Sequence, residues 1–129
     1  MSDKADKKEA KSTFQKFSEI TPDMVENWKK DRKKVQVFAY LVDDTNVNGP
    51  QAKFYVCQPT RPVVSAITQY ASDKDFDKAN DTTFNSCVLG GDMKYVKESS
   101  PDFEEDIYYS LLGDVGSLVG KKKKISTNS

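Results

Sequence analysis

The chain has no histidine. That absence excludes Ser-His-Asp and Cys-His catalytic arrangements and zinc sites built on imidazole. Cysteine is scarce as well: Cys57 and Cys87 are too few and too far apart for a disulfide framework or a CxxC metal knuckle. Their apolar, periodic settings point to buried, inert thiols, because free cysteine packs as a small hydrophobe. The alternative, a nucleophilic thiolate, would want a histidine base or a cationic pocket. No GxGxxG or GxxxxGK[ST] loop is present to cradle a phosphate. Net charge is missing too, since 20 Lys and Arg balance 20 Asp and Glu, so no overall field draws the molecule to nucleic acid or an anionic membrane. No apolar run approaches the roughly 20 residues that span a bilayer, and Met1 to Lys8 lacks the apolar centre of a secretion signal. A cytoplasmic chain with no membrane partner is the expectation.

What remains for chemistry is carboxylates, lysine and tyrosine. Asp43-Asp44 falls in a turn and Glu104-Glu105-Asp106 in the first turn of a helix, two places that favour acidic residues for structural reasons. No catalytic residue, metal site or cofactor site is expected, and the chain reads as no enzyme.

A length of 129 residues suits one domain. Residues 1–18 are rich in Lys, Asp, Glu and Ala and read as a disordered charged tail, residues 19–124 as a single α+β domain, and 125–129 as a second disordered tail. Thr21-Pro22-Asp23 is a helix start, with Met24, Val25 and Trp28 on one side and an end near Lys33. Lys34–Val42 and Ala52–Cys57 are rich in β-branched and aromatic residues and predict an antiparallel hairpin around the turn-forming loop 43–50. Thr60 can cap a helix carrying Val63, Val64, Ile67 and Tyr70. After a break at Ser72-Asp73-Lys74, a second helix carries Phe76, Ala79, Phe84, Cys87 and Val88, and Gly90-Gly91 supplies a positive φ to stop it. Asp92 is placed to cap the next segment. Ser99-Ser100-Pro101-Asp102 opens a final helix with Phe103, Ile107, Tyr108, Leu111, Leu112, Val115, Leu118 and Val119 at helical spacing. Its glycines, Gly113, Gly116 and Gly120, suggest close approach of another backbone. Lys121 to Lys124 complement the helix dipole at its end. The fold class is thus α+β: an antiparallel hairpin, then a bundle of about three helices, with a short N-terminal helix. Val37, Phe38, Phe54, Val56, Ile67, Phe84, Ile107, Leu111 and Leu118 are the expected core.

Gln58-Pro59-Thr60-Arg61 leading into a helix, Asn85-Ser86-Cys87-Val88-Leu89-Gly90-Gly91-Asp92 after the next, and an aromatic-led last helix from Phe103 carry a resemblance. In that order they resemble the small tail assembly chaperone proteins of tailed bacteriophages, over about Trp28 to Lys124. This chain departs from the pattern in its longer charged N-terminal tail and its long hairpin loop. The resemblance implies a non-enzymatic protein that binds the tape-measure protein or another virion component, singly or as a homo-oligomer, in the host cytoplasm or carried into the virion. A structural or accessory virion subunit is the alternative. A nucleic-acid-binding accessory protein, using Lys29, Lys30, Arg32, Lys33 and Lys34 with Lys121 to Lys124, is a second, against which the balanced charge weighs. Tyr55 and Tyr109, each next to a core position, are expected to face outward as partner contacts, with Tyr108 beside them. Trp28 is a further candidate, although a packing anchor for its helix is the favoured reading.

Overall fold

The computed structural model describes residues 14–119. Residues 1–13 of the expected 1–18 tail, the expected tail 125–129, Gly120 and the lysine run Lys121 to Lys124 lie outside the described residues. Helix α1 spans Pro22–Asp31, strands β1 and β2 span Gln36–Leu41 and Gln51–Val56, and helices α2 and α3 span Arg61–Ser72 and Phe76–Cys87. Strand β3, Val88–Gly91, comes directly after α3, and α4 spans Glu105–Gly116. The three strands form one antiparallel sheet in the order β1-β2-β3. The fold is therefore α+β, as the sequence predicts, with one strand more than the hairpin.

Local chemistry accounts for most boundaries. The Thr21 hydroxyl accepts from the Met24 N–H at 3.2 Å, and Pro22 occupies the first turn, so α1 begins where its cap and proline place it. Asp75 caps α3 through the Lys78 N–H at 3.2 Å. Lys74, at φ 61, makes the break between α2 and α3. Two starts differ from expectation. The Thr60 side chain makes no capping bond; only its carbonyl accepts, from the Val64 N–H at 2.9 Å. Helix α4 begins at Glu105 because Ser100 Oγ takes the Asp102 N–H at 3.1 Å and the Tyr95 carbonyl takes the Glu104 N–H at 2.9 Å, which holds residues 100–104 as a turn.

Side-chain alternation along β2 sets the layers. Ala52, Phe54 and Val56 are fully buried on one face, against Phe84, Cys87, Ile107, Leu111, Leu112 and Val115 from α3 and α4. Burying side chains such as Phe54 and Val56 contributes about 1.5–3 kcal/mol each. In β1 the register pairs Phe38 with Phe54 and Val37 with Tyr55, so Phe38 packs on the core and Val37 faces the other way, 42% exposed. Placing both in the core is thus corrected: adjacent strand residues point to opposite faces. Ile67 is likewise only half-buried, and α2 has no buried residue at all. Phe54, Val56, Phe84, Ile107 and Leu111 are buried core as expected, and Leu118 packs against its edge.

The opposite face of the sheet is covered by a segment read as tail. Residues 14–18 are ordered there. Phe17–Glu19 forms a 3₁₀ turn, and the Phe17 ring stacks on Tyr55 at 5.2 Å. Asp92 clamps this cover: its carboxylate accepts from the Phe17 N–H at 2.8 Å and the Lys53 N–H at 3.0 Å, tying residue 17 to β2. Asp92 makes no side-chain cap of the turn at Met93–Tyr95. Gly90 and Gly91 do not end a helix either; α3 stops at Cys87, and both glycines lie in β3. Gly91 does hold φ +150, and a Cβ there would meet the Lys53 carbonyl oxygen at 2.3 Å. At Gly90 a Cβ would stand 3.2 Å from the Trp28 ring.

Candidate functional site

The four candidate contact residues separate into two pairs on opposite sides of the molecule. Trp28 and Tyr55 meet on the outer sheet face at 5.7 Å between ring centroids, with Phe17 stacked on Tyr55 almost parallel, at 11°. Both are half-buried. Tyr55 points away from the core as expected, but Phe17 and Trp28 cover it, so it is not an open contact residue. Its ring is used to hold α1 and the N-terminal segment onto β2.

Tyr108 and Tyr109 sit on α4 in edge-to-face contact at 5.3 Å. Tyr108 is half-buried, 6.0 Å from Phe84 and 6.1 Å from Phe103. Burial first, and the Asp81 carboxylate next, hold its phenol above the ordinary tyrosine value. Tyr109 is 54% exposed, one of the few large apolar side chains left so open among the described residues.

Two grooves flank Tyr109. One, of about 380 Å³, runs between α3 and α4 and is lined by Asp77, Asp81, Phe84, Glu98 and Tyr108. Asp77, Asp81 and Glu98 are all exposed at its rim. Lys97 is the one basic group lining it, and its ammonium lies 4.6 Å from the centre of the Phe84 ring. The other groove, of about 490 Å³, opens between α2, α3 and α4 and is lined by Val64, Ile67, Leu112, Gly113, Gly116 and Val119. Tyr109, Gly113 and Gly116 recur at i, i+4 and i+7 and so share one stripe of α4. The expected backbone approach to these glycines is corrected: a Cβ at either Gly113 or Gly116 would meet nothing within 4 Å. Among the described residues, their small size leaves the groove open between α4 and the apolar side of α2.

The sequence reading missed this groove. Its signal was present in the glycine stripe one and two turns after an aromatic residue, which reads equally as tight packing until a neighbour is found absent. Asp43 has a local role: it accepts from the Thr45 hydroxyl at 2.7 Å and the Thr45 N–H at 3.0 Å, and these bonds hold it below the ordinary carboxylate range. Among the described residues no group of three or more His, Cys, Asp or Glu side chains is placed to hold a metal ion, and no helix is long and apolar enough to cross a membrane. No family model, curated protein or solved structure matches this chain.

Proposed function

We propose that this chain is a non-enzymatic binding protein of bacteriophage tail assembly, whose α2–α3–α4 face docks a basic amphipathic helix of the tape-measure protein or another tail component. The tail-assembly setting, and with it a place in the host cytoplasm, rests on the resemblance carried by residues 58–61, 85–92 and the last helix. The docking face rests on one observation: Tyr109 stands 54% exposed on the ridge between an apolar and an acidic groove. A helix seated there would set aliphatic side chains against Val64, Ile67 and Leu112 and cations against Asp77, Asp81 and Glu98. That is the helix-in-groove mode, with an aromatic anchor of the kind that dominates such interfaces. Tyr55 and Trp28 have no part in this surface.

Co-expression with the tape-measure protein of the same phage tests the reading. A complex is expected, weakened about 30-fold or more by Tyr109→Ala, the scale of an interface hot spot. Asp81→Lys should weaken it too, and added salt should weaken the wild-type complex. Neither variant should lower the melting temperature of the free protein, because both side chains are exposed. Failure to recover a complex, with the protein found instead as a stoichiometric part of finished virions, favours the structural-subunit reading. Salt-sensitive retention on single-stranded DNA without any protein complex favours the nucleic-acid reading.

A further inference from the structure

Cys57 and Cys87 are distant in sequence and adjacent in space. Continuing the antiparallel β2–β3 register one step past the Val56–Val88 pair sets Cys57 opposite Cys87, and the Cys57 N–H donates to the Cys87 carbonyl at 3.0 Å. Directly opposed residues of antiparallel strands have Cα atoms about 4.5–5.5 Å apart. A disulfide spans roughly 4.4–6.8 Å between Cα atoms, so the bond needs little backbone movement. Both thiols are free and buried, at 2% and 0% exposure, and the two side chains interact with each other.

The surroundings are cationic. Arg32, the residue that ends α1, reaches across to donate from Nη1 to the Ser86 carbonyl at 3.3 Å. The Cys57 thiol points to that same carbonyl at 3.8 Å, which brings guanidinium and sulfur together. The Cys87 hydrogen bond first, and Arg32 after it, favour the thiolate at Cys57 over the opposing effects of burial and Asp31. Cys87 is held as the neutral thiol by its bond to Cys57 and by burial. Cys57 also lines a groove of about 620 Å³, shared with Asp31, Arg32, Lys33 and Arg61, and this is the side from which a small oxidant would have to approach. The cationic setting that a reactive cysteine needs in a histidine-free chain is therefore present.

We infer that Cys57 and Cys87 form a redox-active dithiol that hydroperoxides close to an intramolecular disulfide. The Cys57 thiolate attacks one oxygen of the peroxide; an S–O bond forms, the O–O bond breaks, and hydroxide leaves when the oxidant is hydrogen peroxide. Cys57 is then a sulfenic acid. Cys87 attacks that sulfur, the S–S bond forms, the sulfenic hydroxyl leaves, and the Cys87 proton goes to it as water. Cys57 is the peroxidatic thiol and Cys87 the resolving one. Arg32 acts as a positioning residue for the thiolate.

Hydrogen peroxide added to the reduced full-length protein at neutral pH tests this. The monomer should lose two hydrogens in mass and both titratable thiols, a reductant should restore them, and the oxidised form should melt higher because α2 and α3 are then enclosed in a cross-linked loop. Cys87→Ser should stop at a sulfenic acid that a dimedone probe traps on Cys57. Arg32→Gln removes an exposed charge without touching the core and should slow oxidation about tenfold, as expected when the thiolate fraction falls by that factor. Both thiols surviving peroxide in the folded protein, a disulfide formed only between molecules, or an Arg32→Gln rate equal to wild type would each overturn the assignment.

Discussion

Gly91→Ala is expected to be among the most damaging single-methyl changes in this chain. The added Cβ would lie 2.3 Å from the Lys53 carbonyl oxygen, 2.7 Å from the Phe54 Cα and 2.7 Å from its ring, and the first two are backbone atoms of β2 that cannot swing aside. The residue also sits at φ +150, where a side chain is strained whatever space it finds. Backbone strain of this kind costs about 1–3 kcal/mol. Overpacking in a buried strand adds about 1–3 kcal/mol more. Together these reach roughly 2–6 kcal/mol, a large part of the 5–15 kcal/mol that holds a typical domain together. At about 3–5 °C per kcal/mol for a chain of this size, the melting temperature should fall by roughly 6–30 °C.

Two further substitutions make the experiment discriminating. If Gly91 merely ended a helix in the left-handed conformation, Gly91→Asn would be tolerated, since asparagine often fills that position. In β3 the Asn Cβ meets the Lys53 oxygen as the Ala Cβ does, so the two variants should be equally damaged. Gly113→Ala should move the other way. It lies exposed inside α4 with nothing within 4 Å of its Cβ position, so the helix gains up to about 1 kcal/mol. Thermal melts followed by circular dichroism, with urea titrations to confirm unchanged m-values, measure all three. A Gly91→Asn protein as stable as wild type would refute the strand packing of residues 88–91.

Asp92→Ala should leave the Phe17 and Lys53 N–H groups without their carboxylate and cost about 1.5–3 kcal/mol, as loss of hydrogen bonds to a charged group does. Release of the cover over Tyr55 should also shift the Trp28 fluorescence. Leu111→Ala should destabilise by about 2–5 kcal/mol, whereas Val37→Ala on the solvent side of β1 should stay within about 1 kcal/mol; equal costs would defeat the face assignment. Tyr40 donates from its hydroxyl to Asp114 at 2.7 Å, and burial followed by that carboxylate raises its phenol above the ordinary value. The stability it contributes is therefore present below about pH 10 and lost as pH rises from there toward its folded-state value. Denaturant unfolding between neutral and strongly alkaline pH should show that loss, and Tyr40→Phe should make the pH slope shallower, Tyr108 still contributing in the same direction.

The hairpin and the helices were legible because their signals are local. Alternating β-branched and aromatic residues make β1 and β2, and proline, threonine and apolar spacing make α1 and α2. Strand β3 was not legible, since Val88-Leu89-Gly90-Gly91 has two glycines with no intrinsic preference for extended structure. Its conformation is set by pairing with β2, through a register shift between Tyr55 and Val56 that leaves Leu89 without a partner in the ladder. The N-terminal cover failed to show for a related reason. Phe14, Phe17 and Ile20 are few among many charges, and composition alone reads such a stretch as unable to fold. Three backbone and side-chain ties from outside the segment hold it: Asp92 to Phe17, the Gln15 side chain to the Gly91 N–H at 3.0 Å, and the Gln15 carbonyl to the Met93 N–H at 3.0 Å.

The same distinction between local and paired signals explains why the cysteine pair and the Tyr109 groove were out of reach of the sequence. Cys57 directly follows β2 and Cys87 ends α3, and each alone reads as an apolar position. Only the register of a strand that the sequence did not announce brings the sulfurs together, and only the end of α1 brings Arg32 to them. The groove beside Tyr109 likewise exists because three helices meet around two glycines whose Cβ positions have no neighbour within 4 Å among the described residues. An apolar side of α2 left half-open is costly to keep in water, while the other face of the sheet recruits an N-terminal segment as its cover. The unequal treatment of the two sides among the described residues supports the proposal that an external helix docks in the α2–α4 groove.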